Sequence, residues 1–441
     1  MKNFFPNYLA FFFLIFCMSM DAYGETPSQN TNASYPTLRG WLITVLKNNE
    51  EIKSFENQVE QAKARYSQSK GLYYPTMDLR ADGGREKINK EFSADTEENR
   101  YNITLRANQL ITDFGKTQDS IARSGVLLDQ ANARLESKRQ QVLLQGITAY
   151  INIVKARERL RLSRQSEERI KELTGIEKTL VEKQAGLSSD VLQAKSQLAG
   201  AMALRVQAEG ELSIARNRFQ VIFSHALDTV EIEQFTDIEA PFEKLPAMIE
   251  EAVSTAQKQN PELMVALFNT QIAEKDIDIA KAAFYPQLNL YAEALRKDNE
   301  DGIKGYSDEL SAGMEFRYNL FNGGMDRAAL KSALANKNAS SYNAEHAQKI
   351  IREQVNNSWE QLSILKQRSD LLEQQAEIVE NFLILAKKER KMGTRSLLDV
   401  LNGEINFINA VASSIATRQD TKIAAYNLFF AMGNINLELF E

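Results

Sequence analysis

Leu310-Ser311-Ala312-Gly313-Met314-Glu315-Phe316-Arg317-Tyr318-Asn319-Leu320 puts an apolar or aromatic side chain at every even position and a small, polar or charged one at every odd position. Successive strand residues point to opposite faces, so this period of two predicts a strand with one apolar and one wet face. Three more stretches read the same way. Met77, Leu79 and Ala81 alternate with Asp78, Arg80 and Asp82. Tyr101, Ile103, Leu105 and Ala107 alternate with Asn102, Thr104, Arg106 and Asn108, and Leu288, Leu290, Ala292 and Ala294 with Gln287, Asn289, Tyr291 and Glu293. The strands are expected at about 76–88, 99–112, 287–297 and 308–321. Such alternation suits either a sheet resting one face on a soluble core or a lipid-facing wall around a wet lumen. No other strand-like segment is available to cover the apolar face, which favours the wall.

The strand pairs belong to a duplication. Tyr73-Tyr74-Pro75 recurs as Phe284-Tyr285-Pro286, Asp113-Phe114-Gly115 as Asn322-Gly323-Gly324, and Gln184-Ala185-Gly186 as Lys391-Met392-Gly393. Ala215-Arg216-Asn217-Arg218-Phe219 recurs as Ala425-Tyr426-Asn427-Leu428-Phe429. Each copy predicts a helix, an aromatic-proline step, two strands, a very long helix, a glycine turn and a returning helix. The first repeat is assigned to 37–228, a linker with Pro241 to 229–244, and the second repeat to 245–441.

The opening helix of each copy is expected over about 37–72 and 245–284, the second starting afresh at Pro261 after Asn260. After each strand pair come roughly 70 residues without proline, Lys116 to Ala185 and Met325 to Met392. A helix of that length is on the order of 100 Å long. Val355, Leu362, Leu365, Ser369, Leu372, Ala376, Val379, Leu383 and Ala386 recur at spacings of three and four, and Val191, Ala194, Leu198, Ala201, Arg205, Ala208, Leu212 and Ala215 continue the pattern on the first returning helix. These are coiled-coil seams with many small residues, flanked by solvated charged faces.

The chain has 441 residues, a net charge of −6 and 25% charged residues, so no basic excess points to nucleic acid. Residues 1–24 read as a secretory signal: Lys2, an apolar run from Tyr8 to Met18, then Ala22-Tyr23-Gly24 before a cleavage point at Glu25. The run is shorter than the ~20 residues of a membrane span. The single cysteine, Cys17, falls inside it, and the bulky Ile15-Phe16 before it argues against lipidation. Residues 25–36 read as a polar, disordered leader. With no other long apolar run, the mature chain can cross a membrane only as a β-barrel.

Four strands cannot close a barrel, and lipid tolerates no unpaired strand edge. The strands must therefore join those of other copies. Two copies give eight strands, whose interior fills with side chains, whereas three give twelve and room for water around the polar face. Three is the better fit, and the long helices would then form a hollow α-barrel continuing the pore. The expected fold is thus mainly α with a small membrane β part, built by tandem duplication.

The order of elements, the aromatic-proline steps, Leu320-Phe321-Asn322-Gly323-Gly324 and above all Gly393-Thr394-Arg395-Ser396-Leu397-Leu398-Asp399-Val400-Leu401-Asn402 resemble TolC-like outer-membrane efflux proteins. The resemblance covers essentially the whole mature chain. It implies an outer-membrane homotrimer with a large periplasmic part, acting as exit duct for an adaptor protein and an inner-membrane ABC or proton-driven transporter. The 393–402 segment is most similar to members serving type I protein secretion, with small-molecule efflux as the alternative. A periplasmic coiled-coil adaptor is the rival from another class, although it would need a lipoyl-like or many-stranded domain that this chain lacks.

By the same resemblance, Gly186-Leu187-Ser188 and Gly393-Thr394 are the turns where an adaptor docks, with glycine suited to a left-handed helix end. Asp399 would line the pore constriction, with Asn402 where many relatives carry a second aspartate. Asp190 and Arg395 would pair at the tip, yet Gly186 to Asp190 is two residues shorter than Gly393 to Asp399, which puts that pairing in doubt. Asp78, Arg80, Asn102, Thr104, Arg106, Asn289, Glu293, Glu315 and Arg317 would face the lumen. Nothing indicates an enzyme or a cofactor. His225 and His346 are isolated, and Asp298-Asn299-Glu300-Asp301-Gly302 lacks the ligand alternation of a calcium loop.

Overall fold

The computed structural model of the chain describes residues 37–440 apart from Ser93; the expected signal, and the leader up to residue 36, lie outside the described residues. The first half runs α1 (Leu38–Asn48), α2 (Glu50–Lys70), β1 (Thr76–Ile88), β2 (Thr96–Thr112), α3 (Lys116–Glu182) and α4 (Ser188–Phe223). A short α5 (Thr229–Glu233) starts the linker. The second half repeats the order as α6 (Ile249–Gln259), α7 (Pro261–Ala282), β3 (Gln287–Asp298), β4 (Tyr306–Arg317), α8 (Met325–Lys391) and α9 (Leu397–Ala431). Both long helices are 67 residues.

Two expectations change. The single opening helix of the first half is broken at Asn49, whose extended backbone (ψ 128°) ends α1 and whose side chain accepts from the N–H groups of Glu51 and Ile52 to start α2. Asn260 does the same for α7, accepting from Glu262 and Leu263. The asparagine cap, rather than the proline beside one of them, makes both breaks. The fourth strand stops at Arg317 instead of near residue 321, because the chain must already be turning toward the left-handed Gly323 and Gly324 that launch α8.

The chain is a wall four elements wide along its length. The sheet order is β1-β2-β3-β4, all antiparallel. Beyond it α2 lies beside α3, α3 beside α7 and α7 beside α8; further on α4 lies beside α3, α3 beside α9 and α9 beside α8. The expected α8 seam holds: Val355, Leu362, Leu365, Leu383 and Ala386 are buried, and Ser369, Leu372, Ala376 and Val379 half-buried. The largest apolar core sits where α1 and the linker cross the helices. There Trp41 packs edge-on to Phe219 at 5.2 Å and Phe223 at 5.7 Å, beside the fully buried Leu42, Ile147, Ile151 and Phe429. Each such side chain contributes about 1.5–3 kcal/mol on burial.

Candidate functional site

The register puts the nine polar strand residues on one face of the sheet. Asp78 stands opposite Arg106, Arg80 opposite Thr104, Arg106 opposite Glu293, Asn289 opposite Glu315 and Gln287 opposite Arg317, while Asn102 faces Asp82 and Lys297. Charges are compensated across strands. Arg106 lies 3.5 Å from Glu293 and 4.0 Å from Glu315, and Arg317 donates to Glu315 at 2.7 Å. The opposite face carries Leu79, Ile103, Leu105, Leu290, Leu310, Met314 and Phe316, all exposed, Met314 at 66%. A continuous apolar surface of this kind marks an interaction with lipid or protein.

Exposed aromatics bracket that surface: Tyr101 and Tyr306 at one end, Tyr74, Tyr285, Tyr318 and Phe321 at the other. From Tyr306 to Tyr318 the chain spans about 40 Å at ~3.4 Å per residue, or roughly 29 Å of height at a 45° tilt. That is close to the ~25 Å apolar band with aromatic girdles of an outer-membrane barrel. No described helix is long and apolar enough to cross a membrane.

At the far end the two helix-to-helix turns have one backbone design. In the second, Gly393 is left-handed (φ 78°); its N–H donates to Arg390 O at 3.0 Å and that of Thr394 to Glu389 O at 3.1 Å. In the first, Gln184 is left-handed (φ 60°); its N–H donates to Val181 O at 3.0 Å and that of Ala185 to Leu180 O at 2.9 Å. Both are Schellman turns. Gln184 therefore corresponds to Gly393, and Gly186 is not the left-handed helix end expected of it. Gly186 instead packs against α3, where a Cβ would come within 3.2 Å of Leu180. Counted from the left-handed residue, Asp190 and Asp399 are both six residues on, so neither turn is shortened.

The structure does not join Asp190 to Arg395 within the chain. Arg395 lies 3.2 Å from Glu389 and 3.9 Å from Asp399, with its guanidinium 5.0 Å from the Phe382 ring. Asp190 accepts from Ser189 at 3.4 Å. Both aspartates sit in the first turn of a returning helix, which suits the helix dipole. Asp399 donates its N–H to the Ser396 hydroxyl at 3.1 Å and its side chain is 52% exposed. Asn402 is exposed on the same side, and Asn406 and Asn409 continue the stripe along α9. Leu187 and Ser188 lead into α4, Leu187 exposed and without the side-chain cap that Ser396 gives α9.

Sequence reading missed a set of buried charges just behind the tip. Glu177 on α3, 3% exposed, accepts from Arg390 on α8 at 2.6 Å, and Arg390 also donates to Arg395 O at 3.3 Å. Glu404 on α9 is fully buried, 2.9 Å from both Arg169 on α3 and Lys387 on α8. Beside them Leu397 and Leu401 pack with Ile170, Ala194 and Ala201. A signal was present: Glu177 continues the spacing of Ile170 and Thr174, and Glu404 sits between Leu401 and Ile408, so each carboxylate occupies a seam position. The Glu177–Arg390 and Glu404–Arg169 ties join the first hairpin to the second, and Glu404–Lys387 joins the two helices of the second. Of the two histidines, His225 lies 3.0 Å from Glu231 and packs on Trp41, as a structural residue does.

Residues 41–223 and 252–434 both match the model of one family, described as outer membrane efflux protein. The chain belongs to the outer membrane efflux protein family. It is an outer-membrane protein with a large helical part beyond its sheet. Outer membrane efflux protein BepC of Brucella suis biovar 1 (strain 1330) is 21% identical over 91% of this chain and 86% of its own length. Alkaline protease secretion protein AprF of Pseudomonas aeruginosa is 22% identical over 78% of this chain and 72% of its own. The solved outer-membrane channel OprN superposes with a TM-score of 0.80 at 20% identity, covering 91% of this chain and 90% of that one, which establishes the shared fold.

Proposed function

We propose that three copies of this chain close side to side into a twelve-stranded barrel continued by a helical one, forming a passive exit duct. The observation that carries this is the pair of open edges on the wall. β1 and β4 each have one partner strand, and unpaired strand edges are not tolerated in lipid. The helical edges match. On α8, Ile364, Leu371, Ile378 and Leu385 are exposed at intervals of seven, and on α4 Leu192, Ala199 and Val206 repeat the interval. Two apolar heptad stripes on opposite edges of one chain are what neighbouring copies need to form a coiled-coil seam. The polar sheet face then lines the lumen, and the chain performs no reaction.

At the tip, the turns around Gln184–Ser188 and Gly393–Thr394 receive a periplasmic adaptor that joins the duct to an inner-membrane ABC or proton-driven transporter. Asp399 and Asn402 form rings at the constriction. Opening it moves α8 and α9 away from α3, breaking the Glu177–Arg390 and Glu404–Arg169 ties. The cargo is a secreted protein: the 393–402 segment resembles type I secretion ducts, and AprF is named for protease secretion. BepC, named for efflux, supports the small-molecule alternative. In mild detergent the purified protein should have the mass of about three chains and conduct in planar bilayers. A stable monomer in detergent-free buffer would overturn the assembly, and a knockout that keeps its full exoproteome but becomes sensitive to drugs would overturn the cargo assignment.

A further inference from the structure

The connection between β3 and β4 does not stand away from the sheet. Its backbone is left-handed at Asn299, Asp301, Gly302 and Gly305, and it doubles back over the polar face. The Glu300 carboxylate, 15% exposed, accepts a hydrogen bond from the Asn102 amide and lies 3.4 Å from Arg100 and 3.3 Å from Lys297. By register, Arg100, Asn102 and Lys297 all project from the polar face, and Arg100 is tied in turn to Asp82 of β1 at 3.2 Å. Gly302 reaches one strand further. Its N–H donates to Glu86 at 3.2 Å and its carbonyl accepts from Lys90 at 2.9 Å, so residues 300–302 cross β2 and fasten to the β1 side. A Cβ at Gly302 would come within 2.7 Å of Thr96 and 2.8 Å of Lys90, so the strap lies flat on what it crosses. Asn299 adds a bond to the Asn99 carbonyl at 3.1 Å. Loops usually stand in solvent with few ties; this one is held by charge-assisted bonds at both ends.

We propose that this strap is a second, size-selecting constriction, at the outer mouth of the duct, with Glu300 as its principal latch. The inference rests on the barrel reading above, since only there does the polar face line a lumen that three straps narrow together. It concerns the end opposite the tip turns and is independent of the tip gate.

The test labels a thiol placed below the strap. Thr104, on the polar face two residues further into the sheet than Asn102, is replaced by cysteine; Cys17 lies ahead of the expected cleavage point and serves as the background control. Intact cells are treated from outside with a small charged maleimide and with a bulky polyethylene-glycol maleimide. The small reagent should label Thr104→Cys, and the bulky one should label it slowly. Glu300→Ala should speed bulky labelling about tenfold, on the scale of one lost charge-assisted bond. Lys90→Ala, which removes one of the two bonds at the other end, should act in the same direction without touching Glu300. Trimer recovery on gels checks that each variant assembles. Unchanged bulky labelling in both variants overturns the strap. Failure of the small reagent at Thr104→Cys, or equal labelling at Phe316→Cys on the apolar face, overturns the barrel reading itself and the strap with it.

Discussion

Replacing Glu177 by glutamine should open the inner end of the duct. Its carboxylate is 3% exposed and accepts from Arg390 at 2.6 Å across the gap between α3 and α8. The glutamine amide oxygen can still accept from the charged Arg390, so the change removes the charge–charge part of the pair, roughly 1 kcal/mol of tie per chain. The loss is no larger because Arg390 is a third exposed and can turn to water. If three tips open together, the equilibrium shifts by about 3 kcal/mol, or on the order of a hundredfold. Single-channel recording in planar bilayers reads this directly as open probability. Arg390→Gln should act in the same direction, and the double variant should fall short of the sum, because both changes break one interaction. An intact trimer whose open probability is unmoved by either change would refute the idea that this pair holds the hairpins together.

Three other outcomes follow from the same geometry. Met314→Arg, on the apolar face near the middle of the band, should cost about 2–4 kcal/mol per chain, whereas Ser311→Arg on the polar face should be milder; equal losses of folded trimer in denaturant would mean the faces are misassigned. Asp399→Ala should weaken block by divalent and trivalent cations while Asn402→Asp strengthens it, measured as current block in bilayers, and no change in either would make Asp399 a helix-end residue only. Asp237 secures the linker to Lys422 on α9, a lysine 3% exposed and 2.9 Å away. Burial alone would raise the Asp237 pKa, but hydrogen bonds from Lys422 and Gln419 outweigh it and hold the carboxyl below its ordinary value. The tie therefore contributes stability above the ordinary aspartate range, ~4, which is lost as pH falls through the lowered value. Asp237→Asn should lower the melting temperature at neutral pH and flatten its decline in acid; an unaltered acid profile would exclude the pair as its source.

How much of this was legible in the sequence depends on which physical rule wrote each feature. Side-chain alternation is forced by strand geometry, so the four strands and their two faces could be read residue by residue. The seams of α8 were equally plain, because burial at spacings of three and four leaves no freedom. The break at Asn49 has no proline beside it to mark it, unlike the one before Pro261; the signal common to both halves is an asparagine followed by an acidic residue one or two positions on. The buried carboxylates Glu177 and Glu404 were missed because a charge at a seam position reads as an interruption until its partners on other helices are known.

The tip turn was misread for a more instructive reason. Matching Gly186 to Gly393 treated glycine as the marker of the left-handed position, and that produced an apparent shortening of the first turn. Backbone angles give another correspondence. At the ends of the long helices, the left-handed residues of the first half are Phe114, Gly115, Gln184 and Ser224; those of the second are Gly323, Gly324, Gly393 and Gly433. Each pair is 209 residues apart. The two halves thus share the turn conformations at their helix ends while three of four positions differ in residue type, and the first half bears a left-handed backbone at phenylalanine, glutamine and serine, which disfavour it by about 1–2 kcal/mol each. At Gly433 the requirement is stricter, since a Cβ there would collide with the backbone of Asn260. Ser224 carries a Cβ in the same left-handed conformation, so the constraint that fixes glycine at one site does not hold at its counterpart. The duplication is preserved in the shape of the chain, and residue identity follows only where the surroundings leave no alternative.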